Sequence, residues 1–287
     1  MALPVNLRAL AAALLLGATS AGAQRSSGYF ELRRTYDDAR RVQLSLGDED
    51  ALSRGGRWSS SVDAAKLDGL VLQQLARDGD SMHFRLVRDA GVIDFVGRVS
   101  DDRVRGRYSF RPERRFADAL VQRGVGRPDE AEQFQLALYD IGYAMLDELG
   151  AQRYAGVDVG SLVRMGMHGA SLDYLRAMDA AGYRVGDVDR MIALRDHGVT
   201  ASYARALADV GVTGVSLDNL QRARDHGVSA DFVDGLQRAG FDRLALGDLI
   251  RLRDHGVTAG FARVARRDYG ASTVSELVRL RDEGMRD

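Results

Sequence analysis

A 29-residue period dominates the second half of this chain: His168, His197, His226 and His255 stand at that spacing, each followed by a glycine, Gly169, Gly198, Gly227 and Gly256. Three of the four copies read Arg-Asp-His-Gly, through Arg195-Asp196, Arg224-Asp225 and Arg253-Asp254. A further copy, Arg281-Asp282-Glu283-Gly284, arrives 28 residues on with Glu in place of His. A fixed period of roughly twenty to fifty residues marks a stacked array in which each unit is held by its neighbours.

Other positions recur in the same register. An aromatic appears at Tyr174, Tyr203, Phe232 and Phe261, and a hydroxyl residue at Ser171, Thr200, Ser229 and Thr258. Gly182, Gly211 and Gly240 follow, then apolar triplets such as Val188, Met191, Leu194 and Leu246, Leu249, Leu252. Apolar residues three apart share one side of a helix, so each triplet predicts the buried stripe of a short helix. The glycine after His supplies a left-handed helix stop, and the Ser or Thr beyond it is placed to cap the next helix. One unit therefore reads as cap, helix A with the aromatic, Gly-containing turn, helix B with the triplet, and His-Gly stop. Helices of about ten residues are marginal alone in water, so stacking must supply their stability. Val159, Leu162 and Met165, with Met145 and Leu149, extend the pattern backwards. The expectation is an α-solenoid of about five two-helix units over residues 140–287, with diverged outer units.

What precedes the array differs in kind. Residues 1–23 have a short n-region ending at Arg8, an apolar run from Ala9 to Leu16, and a small-x-small site at Ala21-Gly22-Ala23. That pattern predicts a signal peptide cut after Ala23 and a periplasmic or secreted protein. The run is far short of the roughly 20 residues a span requires, and no later segment is apolar enough, so no transmembrane span is expected once the leader is removed. There is no cysteine, hence no disulfide.

Residues 24–111 show period-two alternation: Met82, Phe84, Leu86; then Ile93, Phe95, Val99; then Val104, Tyr108, Phe110. Turn residues separate the runs, which predicts a small antiparallel β domain with one buried face, and an α+β chain overall. Gly97 and Gly106 inside these strands suggest a bulge or a close backbone approach. Asp48 to Ala65 reads as a mobile loop, and the lone Trp58 as a core or edge plug. Residues 112–139 read as connecting helices opened by Pro112 and Pro128, the second continuing through Phe134, Leu138, Ile141 and Met145, with Gly124-Val125-Gly126 as hinge.

The chemistry-bearing residues favour structure over catalysis. Equivalent residues in packed helices lie one or more steps of about 8–10 Å apart, too far to share one zinc. The histidines therefore read as helix stops near last-turn carbonyls, with no metal and no cofactor. The Arg-Asp pairs read as an ion-pair ladder between units, with a polar groove as the alternative; the aromatics read as packing. No Cys nucleophile, Gly-x-Ser-x-Gly elbow, His-Glu-x-x-His or phosphate loop is present, so no catalytic residue is assigned. His83, the one histidine outside the repeats, falls on the polar side of a strand. Forty basic against 41 acidic residues give a net charge of −1, which excludes a global field for nucleic acid.

The unit Gly-Val-Thr-x-x-Tyr through Leu-Arg-Asp-His-Gly-Val resembles one found in uncharacterised exported bacterial helical-repeat proteins. It is also similar to segments that follow the membrane metallopeptidase domain of penicillin-sensor-like proteins. Phe84 to Gly91, through Phe110-Arg111-Pro112, resembles the small β domain preceding such repeats. The peptidase domain and its zinc-binding helix are absent, so the resemblance implies architecture and no catalytic residues. The function expected is a noncatalytic scaffold binding a protein or cell-envelope component. A carboxylate-dependent hydrolase acting on an envelope polymer at the domain junction is the alternative, and a pH-responsive histidine series a third possibility.

Overall fold

The computed structural model describes residues 26–35, 38–52 and 56–285, so the expected signal peptide lies outside the described residues. The first part is one seven-stranded antiparallel sheet: β1 (Ser27–Arg34), β2 (Arg41–Gly47), β3 (Trp58–Asp63), β4 (Leu67–Asp68), β5 (Ser81–Arg88), β6 (Gly91–Ser100) and β7 (Arg103–Pro112). A four-residue helix, α1 (Glu49–Leu52), lies between β2 and β3. The spatial order is β3-β2-β1-β7-β6-β5-β4. The edge strands β3 and β4 are consecutive in the chain, separated only by the 3-10 turn Ala64–Lys66. That short connection draws the edges towards each other and curls the sheet.

The alternating residues face inward as expected. Phe84 and Phe95 stack at 4.8 Å, and Phe30 meets both edge-on at 5.4 and 5.1 Å. Gly97 and Gly106 are register partners, and a Cβ on Gly106 would collide with the Val96 carbonyl and Gly97 Cα. The two glycines thus permit a close backbone approach, with the Phe30 ring above Gly97. Trp58 is half-buried at the sheet edge. The expected mobile loop from Asp48 to Ala65 is corrected: it holds α1 and β3, which pairs with β2 from Leu46↔Trp58 to Arg41↔Asp63. Its serines hid the strand. Ser59, Ser60 and Ser61 carry no apolar alternation, and Ser59 instead meets the Ser45 hydroxyl at 2.8 Å.

Twelve helices follow: α2 (Arg114–Gln122), α3 (Glu130–Leu138), α4 (Tyr143–Ala151), α5 (Val159–Met167), α6 (Leu172–Ala180), α7 (Val188–Asp196), α8 (Ala201–Asp209), α9 (Leu217–Asp225), α10 (Ala230–Arg238), α11 (Leu246–Asp254), α12 (Ala259–Tyr269) and α13 (Val274–Asp282). The A helices begin at Arg114, Tyr143, Leu172, Ala201, Ala230 and Ala259, always 29 residues apart. The B helices begin at Glu130, Val159, Val188, Leu217 and Leu246 at the same spacing, and the last at Val274, 28 on. The connecting helices α2 and α3 therefore keep the repeat's register and form its first unit. Phe116, Met145, Tyr174, Tyr203, Phe232 and Phe261 occupy one equivalent position, buried or nearly so throughout.

Two local expectations for 112–145 change. The helix expected to continue from Phe134 to Met145 breaks after Leu138, because Asp140 takes a left-handed φ of 59°. Gly169, Gly198, Gly227 and Gly256 do the same at 69°, 70°, 69° and 67°. An aspartate at the glycine position concealed the stop. Pro112 and Pro128 lie one residue before the N-caps Glu113 and Asp129, not inside the first turn. Elsewhere the punctuation holds: Ser171, Thr200, Ser229 and Thr258 each accept the backbone N–H of the aromatic three residues on. Val199 N closes back onto Leu194 O at 2.9 Å, and Val228 and Val257 repeat this.

Sheet and stack share one continuous core. The buried Gln133 of α3 donates to Ala90 O and Glu113 O at 2.7 and 2.8 Å, while Phe134 stacks on Tyr108 at 5.6 Å. Asp89, in the β5–β6 turn, accepts the Tyr143 amide at 2.8 Å and caps α4. Among the described residues no helix is long and apolar enough to cross a membrane.

Candidate functional site

The residues of the Arg-Asp-His-Gly motif meet across unit boundaries. His168 Nδ1 lies 2.8 Å from Asp196, His197 2.6 Å from Asp225, His226 2.5 Å from Asp254 and His255 2.9 Å from Asp282. Each arginine instead turns to the aromatic of its own unit. Arg195, Arg224, Arg253 and Arg281 lie 5.7, 5.1, 5.0 and 5.0 Å from the ring centroids of Tyr174, Tyr203, Phe232 and Phe261. Arg195 Nε also donates to Gly169 O at 3.1 Å. The expected ladder therefore exists with different rungs. Adjacent residues on a helix do not face each other, so the two diverge: Asp196 meets His168 of the preceding unit, and Arg195 lies between Tyr174 of its own unit and the Gly169 carbonyl. The histidines end their helices as expected, with backbone N–H groups closing the last turn. Their rings bind carboxylates, where last-turn carbonyls were expected. Among the described residues, no three His, Asp or Glu side chains cluster as metal ligands would.

Tyr174 and Tyr203 tie the units further, their hydroxyls donating to Val199 O and Val228 O at 2.7 and 2.9 Å. Burial pushes both phenols up to about 12. The motif's chemistry is thus spent on mortar within and between units. Half-exposed pairs such as His226–Asp254 contribute only about 0–1 kcal/mol each, so they set register more than stability.

The seam between the first two units departs from this scheme on both sides. Where later units have His, Arg and Asp, it has Tyr139, Gly166 and Met167. A Cβ on Gly166 would strike the Tyr139 ring, so glycine lets the tyrosine lie against the helix. On the A–B turn side a cleft of about 530 Å³ opens, lined by Arg123, Gly124, Val125, Leu146, Leu149, Gly150, Tyr154 and Val157 among others. Arg123 and Asp147 form an ion pair at its rim, 2.8 Å apart. The ring of Tyr154 lines the cleft while its buried hydroxyl points on towards unit three, near the Gly186 amide. Burial raises its pKa. The equivalent notch between units four and five, at Val210-Gly211-Val212, Val233, Gln237 and Phe241, measures only about 190 Å³. The histidine motif gave no hint of the cleft. Its signal was one column of the repeat, Gly150, Asp179, Ala208, Gln237, Arg266, in which only the first lacks a side chain.

At the sheet–stack junction a smaller hollow of about 160 Å³ lies among Trp58, Ser60, Leu86, Arg88 and Leu138. The acids around this junction already have tasks. Asp140 Oδ1 lies 2.9 Å from Arg88 Nε, close enough for an ion pair but not aligned as a hydrogen bond, and Oδ2 lies 3.5 Å from Lys66. Asp89 caps α4 and Glu113 caps α2. The carboxyls with displaced pKa, among them Glu148 beside Arg176 and Asp158 bonded to Ser161, are all pushed down. A general acid working near neutrality needs the opposite displacement. His83 is exposed on the outer sheet surface, 3.5 Å from Asp94.

These features define a class: an antiparallel β domain joined to a six-unit stack of paired helices. Comparison with protein-family models, with curated proteins and with solved structures gives no match.

Proposed function

We propose that the chain is a noncatalytic protein-binding scaffold of the bacterial cell envelope, exported by its N-terminal leader. One observation carries this reading: the repeated polar residues are consumed within and between units, so repetition builds an extended surface and no reaction centre. The alanine- and leucine-rich leader ending in Ala21-Gly22-Ala23 supports export. The resemblance to exported repeat proteins points the same way. The hydrolase alternative has less support, because the junction acids are engaged as caps and ion pairs. Photo-crosslinking residues placed at Gly150, and separately at the exposed Arg222 and Arg251, test the reading in the native host. The expected result is a discrete protein adduct from at least one position. Absence of any adduct from both faces, with the chain present at normal abundance, sinks it.

A further inference from the structure

The cleft between the first two units has counterparts elsewhere in the chain, and those counterparts show what fits it. In unit five, Gln237 reaches across the notch and its amide donates to Val210 O of the preceding turn at 2.8 Å. In unit six, Arg266 occupies the same column, donates to Gly240 O at 2.7 Å and lies 5.6 Å from the Phe241 centroid. Both solutions are alike: an extended side chain crosses an apolar notch and brings terminal N–H groups to the backbone carbonyls of the A–B turn before it. At the first seam the column holds Gly150, and a Cβ built there meets nothing within 4 Å. The carbonyls of Arg123 and Gly124, equivalents of Val210 and Gly211, accept no hydrogen bond from the described residues. The walls remain apolar, from Val125, Leu146, Leu149 and Val157. The acceptors and walls persist while the intramolecular occupant is missing.

We infer that this cleft is a docking site for a side chain of a partner protein that ends in amide or guanidinium N–H groups, taking the place that Gln237 and Arg266 fill within the chain itself. The inference rests on the protein-binding reading and names the chemistry of its contact. The incoming donor bonds the Arg123 and Gly124 carbonyls, and its methylenes pack on Val125 and Leu149.

Three probes test it on the isotope-labelled chain by NMR: N-acetyl-arginine amide, N-acetyl-glutamine amide and N-acetyl-leucine amide. The first two are expected to give saturable shifts at the amides of Gly124, Gly150 and Gly156, and the leucine probe to bind at least about tenfold more weakly, the loss for an unmade bond of about 1.4 kcal/mol. Gly150→Ala, whose methyl is too short to cross the notch, keeps the response. Gly150→Gln supplies the occupant internally and abolishes it. Equal binding of the leucine probe, an undiminished response in Gly150→Gln, or no saturable shift each overturns the inference. If the probes fail while a cross-linker elsewhere on the stack still yields its adduct, the donor-docking inference falls and the scaffold reading stands.

Discussion

Phe232→Tyr is the substitution that most directly tests whether the units are as equivalent as their register implies. Tyr174 and Tyr203 each donate to the carbonyl 25 residues on, at Val199 and Val228. The same offset from Phe232 reaches Val257, which is fully buried and whose amide closes onto Leu252 O at 2.9 Å, as Val199 closes onto Leu194 O at 2.9 Å. A hydroxyl added to Phe232 therefore meets a carbonyl already in position, and the Arg253 contact with the ring survives. A hydrogen bond of this kind adds about 1 kcal/mol net. Tyr174→Phe is the reciprocal change and removes about 1 kcal/mol or somewhat more, since it strips a partner from a carbonyl beside a buried side chain. The two sites are two units apart and share no partner, so the double variant is expected near the parent. Urea titration with an unchanged slope reads the two single changes as midpoint shifts in opposite directions and the double variant as little or no shift. If Phe232→Tyr lowers the midpoint, or if neither single change moves it, the claim of equivalent hydroxyl-to-carbonyl ties between units is wrong.

The remaining expectations concern the ladder, the phenols and the sheet. A double-mutant cycle of His226→Gln and Asp254→Asn is expected to give a coupling below about 1 kcal/mol, because both groups are half-exposed; a coupling several times larger contradicts the register role. Burial holds Tyr174 and Tyr203 at about 12, so the neutral phenol is favoured by folding. Their contribution is complete below the ordinary tyrosine value of about 10 and drains away as pH rises from there through 12, by on the order of 2 kcal/mol for Tyr174. Ultraviolet titration of the folded chain checks this, and all ten tyrosines ionising together near pH 10 would refute it. Gly106→Ala is expected to destabilise the sheet by about 3 kcal/mol or more, since the new methyl has to displace the Val96 and Gly97 backbone; a near-normal melting temperature counts against that close approach.

The array was legible in the sequence because its stop, cap and aromatic are written with residue types that have strong local preferences. Legibility failed where a unit substitutes a residue of weaker preference. Asp140 holds a left-handed φ that glycine holds in later copies, so the first unit passed for a linker. The serine edge strand β3 has no period to detect, since its side chains face neither a clear core nor open water. The Arg-Asp motif misled for a geometric reason: arginine and aspartate were expected to pair between adjacent units, whereas the arginine lies over the aromatic of its own unit and the aspartate meets the imidazole of the preceding one. The cleft was written only as a missing side chain at Gly150, a signal that appears once the copies are superimposed column by column.

The histidine–aspartate contacts of the stack all run from one unit to the one before it, over a stride of 28 residues, or 27 at the last. That makes the interior copies interchangeable parts. Excising Ala201 through Ser229 would join Thr200 to Ala230 as cap to helix and set His197 opposite Asp254, so a shortened array would keep its histidine–aspartate rung, while Arg190 would find Gly247 and Ile250 where Asp218 and Gln221 had been. The first seam, built on Tyr139, Gly166 and Gly150, has no such substitute: the array can change length downstream, but its attachment to the β sheet, and the cleft beside that attachment, exists in a single edition.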